Sequence, residues 1–145
     1  MELKFEVRGM AEIQAMLEKL GSLDITALLG SIGTELQEIS RENIDRRTSP
    51  SGEPMKEWSA AYERIAARDV RRDILRGARP RLRASIAWQI KDGDLYYGSS
   101  MVYAGVHQFG WPERNIPARP YLGIGSRERR GIEDTLQGFM EGIGL

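Results

Sequence analysis

A two-residue Asp-Gly step between two alternating segments constrains this chain more than any other feature of its sequence. Apolar residues alternate with small or polar ones from Ile86 to Ile90, the period-two pattern of a half-buried strand. Asp92-Gly93 follows closely, and an Asp-Gly pair favours the type I′ turn whose twist matches two antiparallel strands. A returning strand fits residues 95–98. The sequence therefore predicts a β-hairpin over residues 86–98.

Patterns on both sides of the hairpin predict an α+β fold. From Leu3 to Val7, apolar and charged residues alternate, which predicts a first strand. A stripe of apolar residues at helical spacing predicts a helix from Ile25 to about Arg47. Gly30 and Gly33 predict a bend or a break there, or a close crossing by another helix. The last helix begins near Ser126, and its expected inward residues are Ile132, Leu136, Phe139, Met140 and Ile143.

We therefore expect a single domain over residues 1–145, a small antiparallel sheet with a central hairpin, packed by N-terminal and C-terminal helices. Residues 48–58 are rich in Ser, Pro and Gly, which predicts an exposed, flexible loop. Ser59 then is a candidate N-cap for a helix that turns Tyr62 inward. Residues 103–109 fit either a third strand or a short helix, because their apolar spacing favours neither.

Charge and cysteine content exclude several classes of protein. Twenty-one basic and twenty-one acidic residues cancel, so no net charge attracts the whole chain to nucleic acid or to an anionic membrane. Without cysteine there is no disulfide, thiolate metal site or cysteine nucleophile. No apolar run reaches the roughly 20 residues that cross a bilayer, and the N-terminus lacks a signal-peptide pattern. We expect a soluble protein, made in the cytosol, with no cofactor, no metal and no membrane partner.

The single histidine, His107, is a weak basis for an enzyme. Catalysis by histidine needs a positioned partner, usually a carboxylate, and the nearest acids in the sequence are Asp94 and Glu113. Ser99 and Ser100 lack the Gly-x-Ser-x-Gly elbow, and one histidine without cysteine makes no standard zinc site. The chain also lacks the glycine-rich phosphate-binding motifs. We interpret His107 as a structural residue, and a hydrolase built on it is the third-ranked function.

An arginine-rich stretch lies between residues 64 and 83, with eight arginines against two aspartates. Arginine clusters contact nucleic-acid phosphates, so a nucleic-acid-binding module is an alternative function. Arginine is also favoured in partly desolvated ion pairs between subunits, and the segment GIEDTLQGFMEG offers an acidic complement. The neutral total charge favours subunit contacts, and a solvated face is the third alternative. The arginines that we expect at an interface are Arg64, Arg68, Arg71, Arg72 and Arg76.

The segment from Gly110 to Pro120 is stiffened by three prolines. A stiff loop loses less entropy when it docks on a partner. We expect it to display Trp111 and Arg119, because tryptophan and arginine are frequent in interface hot spots. The alternative is that these side chains fold back on the chain's own core. Trp58 and Tyr121 complete the expected interface.

Four motifs follow one another along the chain. SPSGEPMKEWS contains a Ser-Gly step and a tryptophan, and DILRGARPRLRASIAWQIKDGDLYYGSS contains the hairpin. YAGVHQFG and IPARPYLGIG occupy residues 103–110 and 116–125. In this order they resemble the phage virion morphogenesis family, the tail-completion proteins of contractile-tailed phages, over about residues 30–140. The sequence departs from the family's usual Thr-Gly-x-Leu turn at Ala78, Arg79 and Pro80.

The resemblance implies a small α+β structural protein at the head–tail junction or the end of the tail tube, without catalysis. It implies that His-Gln-Phe-Gly is a strand or turn anchoring the sheet, and that Ile-Pro-Ala-Arg-Pro is a rigid arm. The implied partners are further copies of the chain in a ring, most simply a hexamer, the tail tube and head–tail connector proteins, with DNA passage through the ring. We expect a tail or neck protein of a phage or prophage virion, present in the host cytoplasm during assembly.

Overall fold

Five helices and three strands make up the described part of the chain. The computed structural model describes residues 2–4, 24–66, 75 and 81–144. The helices are α1 Thr26–Arg46, α2 Ala60–Ala66, α3 Arg81–Ser85, α4 Ala104–Phe109 and α5 Ser126–Gly142. The strands are β1 Glu2–Lys4, β2 Ile86–Lys91 and β3 Asp94–Ser99, and a 3₁₀ turn covers Pro112–Arg114.

The predicted hairpin forms the centre of an antiparallel sheet. β2 and β3 pair along their whole length. Asp92 and Gly93 make the turn with φ angles of 53° and 81°, the positive values that a type I′ turn requires. β1 pairs with the other edge of β3, so the strand order is β1-β3-β2. The hairpin prediction is confirmed, and the fold is α+β.

Helix α1 carries the apolar stripe that its sequence predicts. The Asp24 carboxylate accepts a hydrogen bond from the Thr26 N–H at 2.9 Å and satisfies one backbone donor at the helix start. The buried apolar residues of α1 are Leu28, Leu29, Ile32, Leu36, Ile39 and Ile44. All but Ile39 share one hydrophobic cluster with Ile86, Leu95 and Tyr97 of the hairpin. The core therefore lies between α1 and one face of the sheet.

Gly30 and Gly33 let the sheet approach α1 closely. The indole of Trp88 lies over both glycines, and a methyl group added at Gly33 would meet two of its ring atoms at 2.7 Å. α1 continues through both positions without a break. The expected break is therefore wrong, and a bend at these glycines stays a prediction. The close approach is made by a strand side chain, where the sequence suggested another helix.

Helix α5 lies antiparallel along α1. Glu128, near its start, bonds to Asn43 near the end of α1, and Gly131 faces Ile39, one turn earlier in α1. The predicted inward residues of α5 are only partly buried: Ile132, Leu136, Phe139 and Met140. Ile143 lies just past the last helical residue and is 37% exposed, so its predicted burial is wrong.

Residues 104–109 form helix α4. Ala104 and Gln108, one helical turn apart, are buried, while Phe109 is 64% exposed. The His-Gln-Phe-Gly segment is therefore not the strand or turn that the resemblance implied. Gly110 ends the helix with a φ of 77°, and a side chain there would lie 2.7 Å from the backbone nitrogen of Ala118.

The loop at residues 48–58 has a defined conformation. Thr48 forms an isolated bridge with Pro54. The Met55 N–H donates to the Arg47 carbonyl at 2.7 Å, and Met55 is only 5% exposed. The expected exposure is therefore wrong at Met55, because this side chain joins the core. The flexibility of residues 48–58 stays a prediction.

Ser59 caps α2, as predicted, because its Oγ accepts the Tyr62 N–H at 3.2 Å. Tyr62 is 43% exposed, so its predicted inward orientation is wrong. Three other predictions lie outside the described residues. They are the continuation of the first strand to Val7, the second half of the helix that starts at Ser59, and the turn at residues 78–80.

A methyl group at Gly33 tests the contact between α1 and the sheet. Gly33→Ala would normally favour a helix, but here the new methyl group would clash with Trp88. We expect it to lower the free energy of unfolding by about 1–3 kcal/mol, measured by urea unfolding. Gly138→Ala is the matched control, because no atom lies within 4 Å of its added methyl group. It should raise stability by about 0.5–1 kcal/mol, and equal stability of the two variants would contradict the packing described.

Candidate interaction surface

The proline-rich segment from Gly110 to Pro120, which we call the arm, forms a compact loop. The Trp111 N–H donates to the Ile116 carbonyl at 2.8 Å, and the Ile116 N–H donates to the Trp111 carbonyl at 3.1 Å. Asn115 closes the intervening 3₁₀ turn in the left-handed region, with φ of 55°. These bonds and the prolines already restrict the arm, so docking on a partner costs it little further entropy.

Arg119 ties the arm to the loop at residues 48–58. Its Nε donates to the Lys56 carbonyl at 2.6 Å, and its Nη2 donates to the Glu57 carbonyl at 2.9 Å. The residue is only 6% exposed, and this burial lowers the pKa of its guanidinium. The expectation that Arg119 is displayed on the surface is therefore wrong. It folds back and satisfies carbonyls of a neighbouring loop.

Tyr121 is also internal, although the sequence suggested an interface residue. It is fully buried, and burial raises the pKa of its hydroxyl to about 12. Its backbone is held by Gln108, whose Oε1 accepts the N–H groups of Tyr121 and Leu122, both at 3.1 Å. The Gln108 amide also donates to the Leu122 carbonyl at 2.8 Å. The Gln108 side chain thus makes, for the segment after the arm, backbone hydrogen bonds that a neighbouring strand would make in a sheet.

A buried carboxylate joins the two long helices. Glu128 is fully buried; its Oε1 accepts from Asn43 Nδ2 at 2.9 Å, and its Oε2 accepts the Gly125 N–H at 3.0 Å. Arg127 donates to Asn43 Oδ1 at 3.2 Å and forms an ion pair with Glu42. Sequence reasoning missed Asn43, Gln108 and Glu128. Asn43 carried a signal, because a polar residue there interrupts the apolar stripe of α1.

Several exposed apolar side chains lie in or next to α2, α4 and the arm. Tyr103 stacks edge to face on His107 with ring centroids 5.7 Å apart. We call the exposed set the aromatic surface; its members are Tyr62, Val102, Tyr103, Phe109 and Trp111. Exposed aromatic side chains of this kind are enriched at protein interfaces.

One tryptophan belongs to the aromatic surface, and a second contacts one of its members. Trp111 is 40% exposed, and the Arg114 guanidinium lies 4.6 Å from its ring centroid, within cation–π range. Trp58 is partly buried against the core and meets Tyr62 edge to face at 5.3 Å. Trp111 is therefore accessible, as expected, while Trp58 packs against both the core and Tyr62. Their roles in an interface stay predictions.

The arginine-rich stretch is described only at its two ends. Arg64 is exposed at the end of α2. Arg83 donates from Nε to both carboxylate oxygens of Asp45 at 3.0 Å, so this guanidinium is engaged within the chain. The other expected interface arginines lie outside the described residues: Arg68, Arg71, Arg72 and Arg76.

His107 lies in α4 beside the arm. Its Nδ1 is buried and has no hydrogen-bond partner in the described part of the chain. Burial, and then the positive charge of Arg119, lower the pKa of His107. The backbone carbonyl of His107 accepts the Arg119 N–H at 2.7 Å. The geometry around this histidine therefore favours a neutral ring that packs between neighbours.

Two other kinds of site are absent from the described residues. Within residues 2–4, 24–66, 75 and 81–144, His, Asp and Glu side chains form no group of three that could hold a metal ion. Among the helices described, none has the length and apolarity required to cross a membrane.

The model of the phage virion morphogenesis family matches residues 9–141. The chain belongs to the phage virion morphogenesis family. The match covers nearly the whole chain, including the hairpin, the arm and α5, and it confirms the resemblance of the four motifs. Membership gives this protein a structural role in the assembly of a phage particle.

Other comparisons add little to the family assignment. A 24-residue segment is 62% identical to an uncharacterized protein of Methanocaldococcus jannaschii. That segment covers 17% of this chain and 18% of that protein, too little to carry an argument about fold or function. No solved structure matches the chain significantly.

Removal of Arg119 tests how this family member holds its arm. Arg119→Ala leaves the carbonyls of Lys56 and Glu57 without their donors, which costs about 1–3 kcal/mol of unfolding free energy. We expect a lower melting temperature and faster tryptic cleavage after Lys56. Arg114→Ala is the control, because this exposed side chain should change stability by less than about 0.5 kcal/mol. Equal melting temperatures of the two variants would show that Arg119 does not stabilise the contact between the arm and the loop at residues 48–58.

The lowered pKa of His107 predicts a pH dependence of stability. The unfolded chain binds a proton near the ordinary value of 6.5, whereas the folded chain binds it only at lower pH. Stability is therefore complete above pH 6.5 and decreases as the pH falls from there to the folded-state pKa. Urea unfolding at a series of pH values should show this decrease in the native chain and not in His107→Gln. Since His107 is the single histidine, its NMR titration gives the folded-state pKa directly, and a value above 6.5 would refute the argument.

Proposed function

We propose that this protein completes the phage tail and joins it to the head, as a ring of copies at the end of the tail. Family membership supports a role in virion assembly. The observation that carries the finer proposal is the aromatic surface, which the chain leaves uncovered beside a preorganised arm. An assembly protein needs such a surface, because its function is contact with other virion proteins.

The composition of the aromatic surface suits a protein interface. Tyrosine, tryptophan and phenylalanine are enriched in the buried cores of interfaces and supply most hot spots. Val102 is completely exposed, and Phe109 is 64% exposed, so a partner would remove much apolar area from water. The buried Arg119 side chain connects the arm to the loop at residues 48–58. This connection restricts both segments before a partner binds, which lowers the entropic cost of docking.

The symmetry of a tail supports the ring. A tail is a rotationally symmetric tube, and a protein that closes its end matches it through repeated head-to-tail contacts that close on themselves. We propose a homo-oligomer, a hexamer in the simplest case, whose aromatic surface contacts the tail tube or the head–tail connector. DNA would pass through its lumen. The role is structural, and the protein is a component of the tail or neck of the virion, with no catalytic step.

A complementation assay tests this function. A phage lacking the protein should produce infectious particles when the native chain is supplied, and few when Phe109→Ser with Trp111→Ala is supplied. Phe109 is 64% and Trp111 40% exposed, so the variant should keep its fold, which its melting temperature and circular dichroism check. Electron microscopy of the failed particles should show separate tails and heads.

Ile143→Ser is the matched control, because Ile143 is exposed to a similar degree as Trp111 but lies outside the aromatic surface. It should complement like the native chain. Full complementation by Phe109→Ser with Trp111→Ala would show that the aromatic surface is not the contact, and joined particles without any copy of the protein would refute tail completion.

A further inference from the structure

Strand β2 has a free edge in the part of the chain that the structure describes. The strand order is β1-β3-β2, so β3 pairs on both sides and β2 on one. Edge strands are commonly protected from further pairing by proline, a bulge or charged side chains. β2 contains no proline, its register with β3 is continuous, and its single charged residue, Lys91, lies beside the turn. β2 is therefore an unprotected edge strand.

The register of the hairpin decides which backbone groups of β2 point outward. In a two-residue hairpin, the residues that flank the turn exchange both backbone hydrogen bonds, and such pairs alternate along the strands. Lys91 and Asp94 flank the turn, so every second residue back from Lys91 bonds to β3. The N–H and C=O groups of Trp88 and Ile90 therefore point away from β3.

Contacts at this edge agree with that direction. The Arg41 Nη2 donates to the carbonyl of Ile86, two residues before Trp88, at 3.2 Å, so this carbonyl also faces away from β3. Among the described residues, none outside the sheet bonds to the backbone of Trp88 or Ile90. The outward N–H and C=O groups of these two residues are therefore available to another strand.

A groove beside the free edge offers a place for a side chain. Its lining includes Ala87, Gln89, Tyr96 and Gly98, which alternate with core residues of β2 and β3, so the groove lies on the face of the sheet away from α1. Ala87 pairs with Gly98, and these two small residues form its floor. Its volume is about 250 Å³, whereas small-molecule sites usually measure about 300–1,000 Å³. The groove therefore suits a side chain better than a free ligand.

We propose that β2 binds an extended segment of another virion protein as an additional strand of the sheet. In this mode of recognition, main-chain hydrogen bonds, here to Trp88 and Ile90, give affinity, and pockets for alternate side chains give specificity. In an antiparallel pairing, the partner residue opposite Ala87 lies about 4.5 Å from it, Cα to Cα, on the same face. A large apolar side chain at that position fills the groove. The inference rests on the proposed function and names how a tail or connector protein is bound.

A segment of a different protein fits this edge better than a second copy of the chain. Antiparallel pairing of two β2 edges places Ala87, Gln89 or Lys91 of one copy opposite Ala87 of the other. None of these side chains is both large and apolar, so a second copy leaves the groove without an apolar side chain. Such a contact is also isologous and two-fold, whereas the proposed ring needs head-to-tail contacts.

Hydrogen exchange of the full chain, followed by NMR, tests whether the edge is free. The N–H groups of Trp88 and Ile90 should exchange at least tenfold faster than those of Ala87 and Gln89, which bond to β3. Equal protection of all four at every chain concentration would show that other residues of the same chain cover the edge. Protection that increases with concentration would show that a second copy covers it. Either result would overturn the inference.

A display library of random ten-residue peptides is the probe for binding. Peptides selected on the native chain should slow the exchange of the Trp88 and Ile90 N–H groups. Ile90→Pro removes an outward N–H and breaks no bond to β3, and proline is tolerated in edge strands; Ala87→Leu occupies the groove. Each should weaken peptide binding at least tenfold, with the fold checked by circular dichroism. Ile143→Ser is the control, because Ile143 lies outside the sheet, and it should bind the peptides like the native chain.

Two results of the binding experiment would overturn the inference. They are a library that yields no peptide, and peptides that bind the native chain and both variants equally; if Ile90→Pro does not fold, Ala87→Leu decides alone. The complementation assay separates the inference from the proposed function. Variants that lose peptide binding and still complete tails would remove the edge from virion assembly and leave tail completion intact. Joined particles without any copy of the protein would refute tail completion, whatever the peptides bind.

Discussion

The buried carboxylate of Glu128 is the constraint on which the arrangement of the helices depends. Burying a carboxylate is costly unless hydrogen bonds replace its water, and here the donors are the Asn43 amide and the Gly125 backbone. One donor belongs to α1 and the other to the residue just before α5. The bonds therefore fix where α5 begins, along which part of α1 it lies, and where the chain must arrive after the arm.

The irregular chain between α4 and α5 follows from the same principle. Around Tyr121 and Leu122 its backbone runs through the interior without a strand partner, and buried N–H and C=O groups need partners. Gln108 supplies them at Tyr121 and Leu122, and Asn43 reaches the Tyr121 carbonyl at 3.5 Å. Arg119 likewise donates to the backbone carbonyls of Lys56 and Glu57 in the loop before Trp58. Polar side chains, each buried and paired, thus hold the segments that carry the exposed aromatic residues.

The exposed aromatic residues lie on segments that internal hydrogen bonds hold. Gln108 bonds to the segment after the arm, and Arg119 bonds to the loop before Trp58. The positions of these segments are therefore set before any partner binds, which lowers the entropic cost of docking.

The sequence by itself determined the hairpin, α1 and α5, because their signals are local: alternation with an Asp-Gly turn, and apolar residues at helical spacing. It also determined the family, through motifs such as YAGVHQFG. Only the tertiary structure decided which side chains reach the surface. Trp111 and Arg119 belong to one stiff loop and look alike as interface residues, yet Arg119 is buried because the carbonyls of Lys56 and Glu57 need donors. Those carbonyls lie some sixty residues away in the chain, and no local pattern records a partner that only folding brings near.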